Sequence, residues 1–301
     1  MLQYLPVGFG QKTVQTGLGA MAYYTPVGAP WTIDDSKPTI VFLHGFGGGS
    51  SAYEWSKVFA AFADTHHVIA PDLIGWGNSN HPVRRYHIED YTITIAEFLQ
   101  QVAPNPVTVV ASTLTGAFAI RLATQKPELF ESLFLVCPSG FSDFGQDAGR
   151  RLPSQFLEIP LLDRLIYTVG ATNDLAVRNF LEQFLFADRD RITNEMVNAY
   201  LYSAQQPNAE HAALAFLRGD LYFDLSLYLP QLNTPTAIVW GEKAQFTDVN
   251  LGRRLAAINP RAVQKFQPIP NVGVLANLEQ PAIVSGLLAR WLQSEKSLQL
   301  D

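Results

Sequence analysis

The sequence holds a single cysteine, Cys137, so no disulfide can close within the chain, and a reducing, cytoplasmic setting is expected. Only 16% of the 301 residues are charged, the net charge is −6, and the basic residues come in isolated pairs such as Arg84-Arg85. That balance excludes nucleic acid as an expected partner. The longest uncharged stretch, Phe98 to Ile120, is broken by Pro104, Asn105 and Pro106, so no membrane span is expected. The opening MLQYLPVGFGQ has neither the basic start nor the apolar run of a signal peptide. His-x-x-x-His and Cys-x-x-Cys spacings are missing, and no metal or cofactor is expected. Gly47-Gly48-Gly49 lacks the Lys-Ser/Thr that would make it a phosphate loop.

What is present is apolar. At 48% hydrophobic residues the chain can bury enough surface to offset its conformational entropy, which excludes disorder. Two short runs meeting at Gly17-Leu18-Gly19 predict a hairpin over Thr13–Tyr24. Strands buried on both faces are expected at 39–43 and 67–70, further strands at 107–111 and 133–136, and the strand pattern resumes at 237–240 and 263–266. Between them the spacing predicts helices over 53–62, 88–102 and 116–124, with a closing helix over 282–291. Such alternation builds a mostly parallel sheet with right-handed crossovers. The rhythm breaks from 141 to 224, where helical spacing dominates and twelve acidic side chains face seven arginines. The expected division is therefore an α/β core over 1–140 and 225–301, with a helical cap over 141–224.

Four motifs now align in order. His44-Gly45-Phe46-Gly47-Gly48 follows the first buried strand, and Pro71-Asp72-Leu73-Ile74-Gly75-Trp76-Gly77-Asn78-Ser79 follows the second. Ile269-Pro270-Asn271-Val272-Gly273 and Leu278-Glu279-Gln280-Pro281 close the chain. Together with the insertion after the fourth parallel strand, they resemble the α/β-hydrolase fold over essentially the whole chain. The resemblance implies a nucleophile on a tight strand-to-helix turn, then an acid and a histidine later in the sequence.

None of these three is in its expected form. Gly-x-Ser-x-Gly occurs nowhere; the turn reads Ala111-Ser112-Thr113-Leu114-Thr115-Gly116, placing Thr113 at the apex. Ala244 stands at the acid position and Val274 at the histidine position, and no histidine follows His211. A β-branched residue at the positive φ of such a turn is strained, so the elbow is expected to relax or to store of order 1–3 kcal/mol. Thr115, in place of a smaller residue, points the same way.

The leading expectation is an α/β-hydrolase-fold protein without triad chemistry, acting as a small-molecule binder, a sensor or a protein-interaction scaffold. Its ligand site would be an oxyanion-type cradle at Gly45, Phe46 and Leu114, holding a small apolar or carbonyl-bearing compound. Apolar walls would come from Leu157, Leu161, Leu165, Phe180, Phe184 and Phe216 of the insertion. The alternative is an esterase-like hydrolase with relocated groups, Thr113 or Ser112 with His211 and Asp248 or Asp143. A lyase-type reaction is a third reading. His44 is expected to support the oxyanion loop, Cys137 to be a small buried hydrophobe, and His66 and His67 to be exposed where a strand begins.

Overall fold

A computed structural model describes residues 5–34, 36–146, 162–245 and 247–298, without side chains for 162–166 and 295–298. Its centre is one eight-stranded sheet in the order β1-β2-β4-β3-β5-β6-β7-β8. The N-terminal hairpin, β1 (Phe9–Thr16) and β2 (Gly19–Pro26), pairs in the register Thr16↔Gly19 and joins β4 antiparallel. From β4 (His67–Pro71) through β3 (Thr39–Leu43), β5 (Val107–Ser112), β6 (Phe130–Val136), β7 (Thr236–Gly241) and β8 (Val263–Ile269) every pairing is parallel. β5 lies in the middle of the sheet and is buried along its whole length, as its unbroken apolar run requires.

Helix α1 (Ile88–Val102) opens on a side-chain cap: Asp90 Oδ2 accepts the His87 N–H at 2.8 Å. It buries Tyr91, Ile95, Phe98 and Leu99 on one face. Helix α2 (Thr113–Gln125) begins directly at the end of β5, three residues earlier than the spacing suggests. The expected helix over 53–62 is two separate 3-10 turns, Ala52–Trp55 and Phe59–Phe62. Their apolar residues recur every three or four positions, a spacing that a pair of 3-10 turns satisfies as well as an α-helix does.

Between β6 and β7 the chain forms α3 (Leu162–Ala171), α4 (Asp174–Phe180, continuing as a π turn over Leu181–Leu185), α5 (Asn194–Ala204) and α6 (Glu210–Arg218). Leu157 and Leu161 lie outside the described residues, as does the side chain of Leu165. The two ends of this segment meet. Phe223 N–H donates to the Gly140 carbonyl at 2.9 Å, and Asp143 accepts from the Ser139 hydroxyl, the Gly140 N–H and the Leu225 N–H. Asp143 is thus a strut closing the neck of the insertion.

Helix α5 is stitched to the core by a row of polar contacts. Glu195 accepts from Tyr53 and Lys57, Tyr200 donates to Glu54, Tyr202 donates to Asn78, and Ser203 joins the Ser50 carbonyl to the Gly77 N–H. Gly49, at φ +94°, has no room for a Cβ against the Tyr200 carbonyl. Helices α7 (Val249–Ile258), α8 (Ala276–Glu279) and α9 (Pro281–Leu298) complete the chain. Among the described residues no helix is long and apolar enough to cross a membrane.

Candidate functional site

The site forms where β3 and β5 end. Thr113 sits at φ +50°, so the strand-to-helix elbow keeps its tight shape and does not relax. A left-handed β-branched residue is strained, and the surroundings must hold it there. Two contacts do so. Gly116 brings α2 against Pro138, with space for a Cβ only at 3.1 Å, and Thr115 donates to the His44 carbonyl at 2.6 Å. Thr115 therefore braces the elbow where a smaller residue is usual.

Thr113 is only 7% exposed and its hydroxyl has no partner; the Ser112 hydroxyl beside it has none either. A Cβ placed on Gly45 would lie 2.8 Å from Thr113 Oγ1, 3.2 Å from Ser112 Oγ and 3.3 Å from Glu54 Oε2. Two orphan hydroxyls and one buried carboxyl thus converge on a spot kept free of side chain. Buried polar atoms without partners are rare enough that a cluster of them marks a site.

Glu54 gave no signal in the sequence. It follows Tyr53 in a mostly apolar stretch, and its role depends on residues far along the chain. Its Oε2 accepts the Gly45 N–H at 2.7 Å, its Oε1 accepts the Tyr200 hydroxyl at 2.9 Å, and Ser50 also bonds to it. Burial raises the carboxyl above its ordinary range, and these three donors oppose the rise.

His44 is occupied on both ring nitrogens. Leu73 N–H donates to Nε2 at 2.9 Å, so Nε2 is unprotonated and Nδ1–H donates to the Gly45 carbonyl at 2.7 Å. Burial lowers its pKa to about 4, against the raising effect of the Gly45 bond. It ties the loop after β3 to the loop after β4. Cys137 is buried, with its thiol pushed up to about 12 by burial, and its Sγ accepts the Gly241 N–H at 3.4 Å. Such a thiol is inert. His66 is buried against the Phe62 ring, contrary to the expected exposure, and His67 is half-buried.

Two of the candidate acids are engaged in structural hydrogen bonds. Asp248 caps α7, accepting from the Asn250 and Leu251 N–H groups at 2.8 and 2.9 Å. Asp143 is the neck strut described above. His211 lies in the first turn of α6 and is not part of the cleft wall.

Ala244 and Val274 are both buried. The loop carrying Val274 is clamped on two sides. Gly273 has no space for a Cβ against Leu185–Ala187, and Gly241 has none against the Gly273 carbonyl. Glu279 fastens the clamp, accepting from Gly273 N–H at 2.7 Å, Ala187 and Asp188 N–H at 3.1 and 3.0 Å, and Arg191 Nη1 at 3.0 Å.

A cleft of about 150 Å³ opens beside the oxyanion loop, walled by Gly47, Gly48, Tyr167, Ala171, Phe180 and Phe216 among others. Phe180 and Phe216 line it as expected, while Phe184 packs against Phe180 at 5.8 Å between ring centroids. Phe46 is expected to act through its backbone N–H. Its ring is in an aromatic cluster with Trp76, Tyr91 and Phe118, outside the cleft wall, so only its backbone can serve a ligand. Leu114 is in the first turn of α2, where N–H groups have no partner within the helix.

If the elbow is strained, its removal has a measurable sign. Thr113→Gly abolishes the positive-φ strain and the orphan hydroxyl, while adding chain entropy and losing a buried methyl. The expected stability by urea unfolding is within about 1 kcal/mol of the parent, on the stabilising side. A loss of about 2 kcal/mol or more would mean the turn is unstrained.

This sheet order, an elbow at its centre and helices inserted after β6 define a hydrolase-type α/β protein. The chain belongs to the alpha/beta hydrolase family, whose model matches residues 40–287. It is 26% identical over 264 residues to the uncharacterized hydrolase YugF of Bacillus subtilis, covering 85% of this chain and 90% of that protein. It is 24% identical over 272 residues to human epoxide hydrolase 4, covering 86% and 73%. The crystal structure of carboxylesterase CesB from Bacillus subtilis superposes with a TM-score of 0.75 at 16% identity, covering 97% and 94%.

Proposed function

We propose that this protein binds a small apolar compound bearing a carbonyl group in the cleft beside Gly47 and Gly48, and does not carry out triad hydrolysis. The observation that carries the reading is the composition of the elbow, acid and histidine positions, Thr113, Ala244 and Val274. A hydroxyl near its free pKa needs a base within hydrogen-bond reach, and an imidazole needs a carboxylate to orient it. Here no histidine lines the cleft among the described residues, and His44 is committed to two backbone groups. Relatives named as hydrolases make an enzyme the natural competing reading; the engaged roles of Asp143 and Asp248 count against a relocated triad.

The polar end of the ligand would meet the free Phe46 and Leu114 N–H groups at the positive end of α2. Its body would occupy an apolar space comparable to engineered cavities of about 150 Å³ that hold benzene. One ring or a short branched chain is the size this volume favours. The test is a thermal-shift screen of small aromatic and branched aldehydes, esters and lactones. A binder at a hundred times its Kd adds about 2.7 kcal/mol, a rise of a few degrees. Ala171→Phe, which fills the cleft, is expected to abolish that rise. If no compound raises the melting temperature, or the rise persists in Ala171→Phe, this reading fails and an interaction scaffold replaces it.

A further inference from the structure

Apart from the cleft, a second cavity of about 190 Å³ lies between α9 and the β6-β7-β8 margin of the sheet. Its floor is apolar: Phe134, Ala237 and Val239 share one face because side chains two residues apart, and those in register across parallel strands, point the same way. The small Ala237 leaves the space. Its rim is cationic. Lys265 on β8 and Arg290 on α9 both line the cavity, and neither has an acidic partner among the described residues. Among the described residues no aspartate or glutamate contributes to the wall. Trp291 lines it too; the residue is 3% exposed and its indole N–H has no acceptor.

Two solvent-exposed cations and one buried orphan N–H line this cavity, with no carboxylate among the described residues of its wall. A buried donor without an acceptor is destabilising, and an acceptor that reaches it relieves that penalty. Arginine and lysine favour an anion over a neutral acceptor. The volume is a little larger than the cavities of about 150 Å³ that hold benzene. We infer that this cavity is a second ligand site, taking a small carboxylic acid with a one-ring apolar body, its carboxylate at Lys265, Arg290 and Trp291. The site is independent of the cleft by the elbow, since no residue lines both.

The chain has five tryptophans, so its indole N–H resonances are few enough to follow one by one. Trp291→Phe identifies the Trp291 resonance by its loss. Benzoate titrated into the wild-type protein is expected to move that resonance to saturation. Benzamide, with the same ring and no charge, should bind at least about tenfold more weakly, and acetate, with the charge and no ring, likewise. The double variant Lys265→Glu, Arg290→Glu is expected to keep the resonance in place and lose the benzoate response by at least tenfold. Ala171→Phe, which fills only the cleft, should leave it unchanged, so failure here and failure of the cleft reading remain distinct. A Trp291 resonance unmoved by millimolar benzoate overturns the inference. So does an equal response to benzamide, or one that survives charge reversal.

Discussion

Glu279→Ala is expected to lower the unfolding free energy by about 4 kcal/mol, the largest loss we expect from a single truncation in this chain. Glu279 is fully buried as a side chain and gathers four donors from three segments, Gly273, Ala187 with Asp188, and Arg191. Removing a buried carboxylate strands every donor it satisfied, a loss of about 3–5 kcal/mol when a charged partner is among them. Arg191 is 30% exposed, so water can recover part of its share. For a chain of this size the melting temperature should drop by on the order of 10 °C. Glu279→Gln keeps the shape and one acceptor oxygen, and should lose less. Amide exchange at Ala187 and Asp188 should rise in Glu279→Ala before global unfolding, because the clamp between the last loop and the inserted helices is released. A loss below about 1 kcal/mol would show that the clamp is held by packing alone.

Glu54→Leu should follow, with a loss of about 3 kcal/mol. The leucine fills similar space but leaves the Gly45 N–H, the Tyr200 hydroxyl and Ser50 without an acceptor. Relief of the carboxyl's own desolvation offsets part of this. The pair can be isolated: Tyr200→Phe removes one stranded donor, so the double variant should be more stable than the two single losses predict, by about 1–2 kcal/mol. Strict additivity would mean that Tyr200 and Glu54 do not depend on each other. In Glu54→Gln, which keeps an acceptor for Gly45, the oxyanion loop should stay in place and most of the stability should remain.

These two glutamates show where the sequence was readable and where it was not. β3 at Thr39–Leu43 and α1 at Ile88–Val102 coincide with their expected bounds, because each is specified by a local pattern. The mostly parallel sheet, the helices after β6 and the elbow position were legible through motifs of nearby residues, while the order of the strands was not. Glu54 was not, since its meaning lies in Tyr200, 146 positions on. Glu279 was visible as part of Leu278-Glu279-Gln280-Pro281, yet its partner Ala187 is 92 positions away. Asp143 and Asp248 show the complementary limit: capping a helix or closing a neck leaves no mark in composition. At the elbow the residues alone left relaxation and stored strain both open; the braces supplied by Thr115 and Gly116 hold Thr113 in the strained form.

The absence of triad hydrolysis is the central claim, and one comparison tests it most directly. Wild-type protein and Thr113→Ala are each incubated with an activated short-chain ester and with a fluorophosphonate, and turnover and covalent adducts are measured side by side. Loss of any triad member removes several orders of magnitude of rate, so on the proposed reading the two proteins should be indistinguishable and unlabelled. Turnover well above Thr113→Ala, or an adduct mapped to Thr113 or Ser112, would contradict the account and establish a working nucleophile at the elbow.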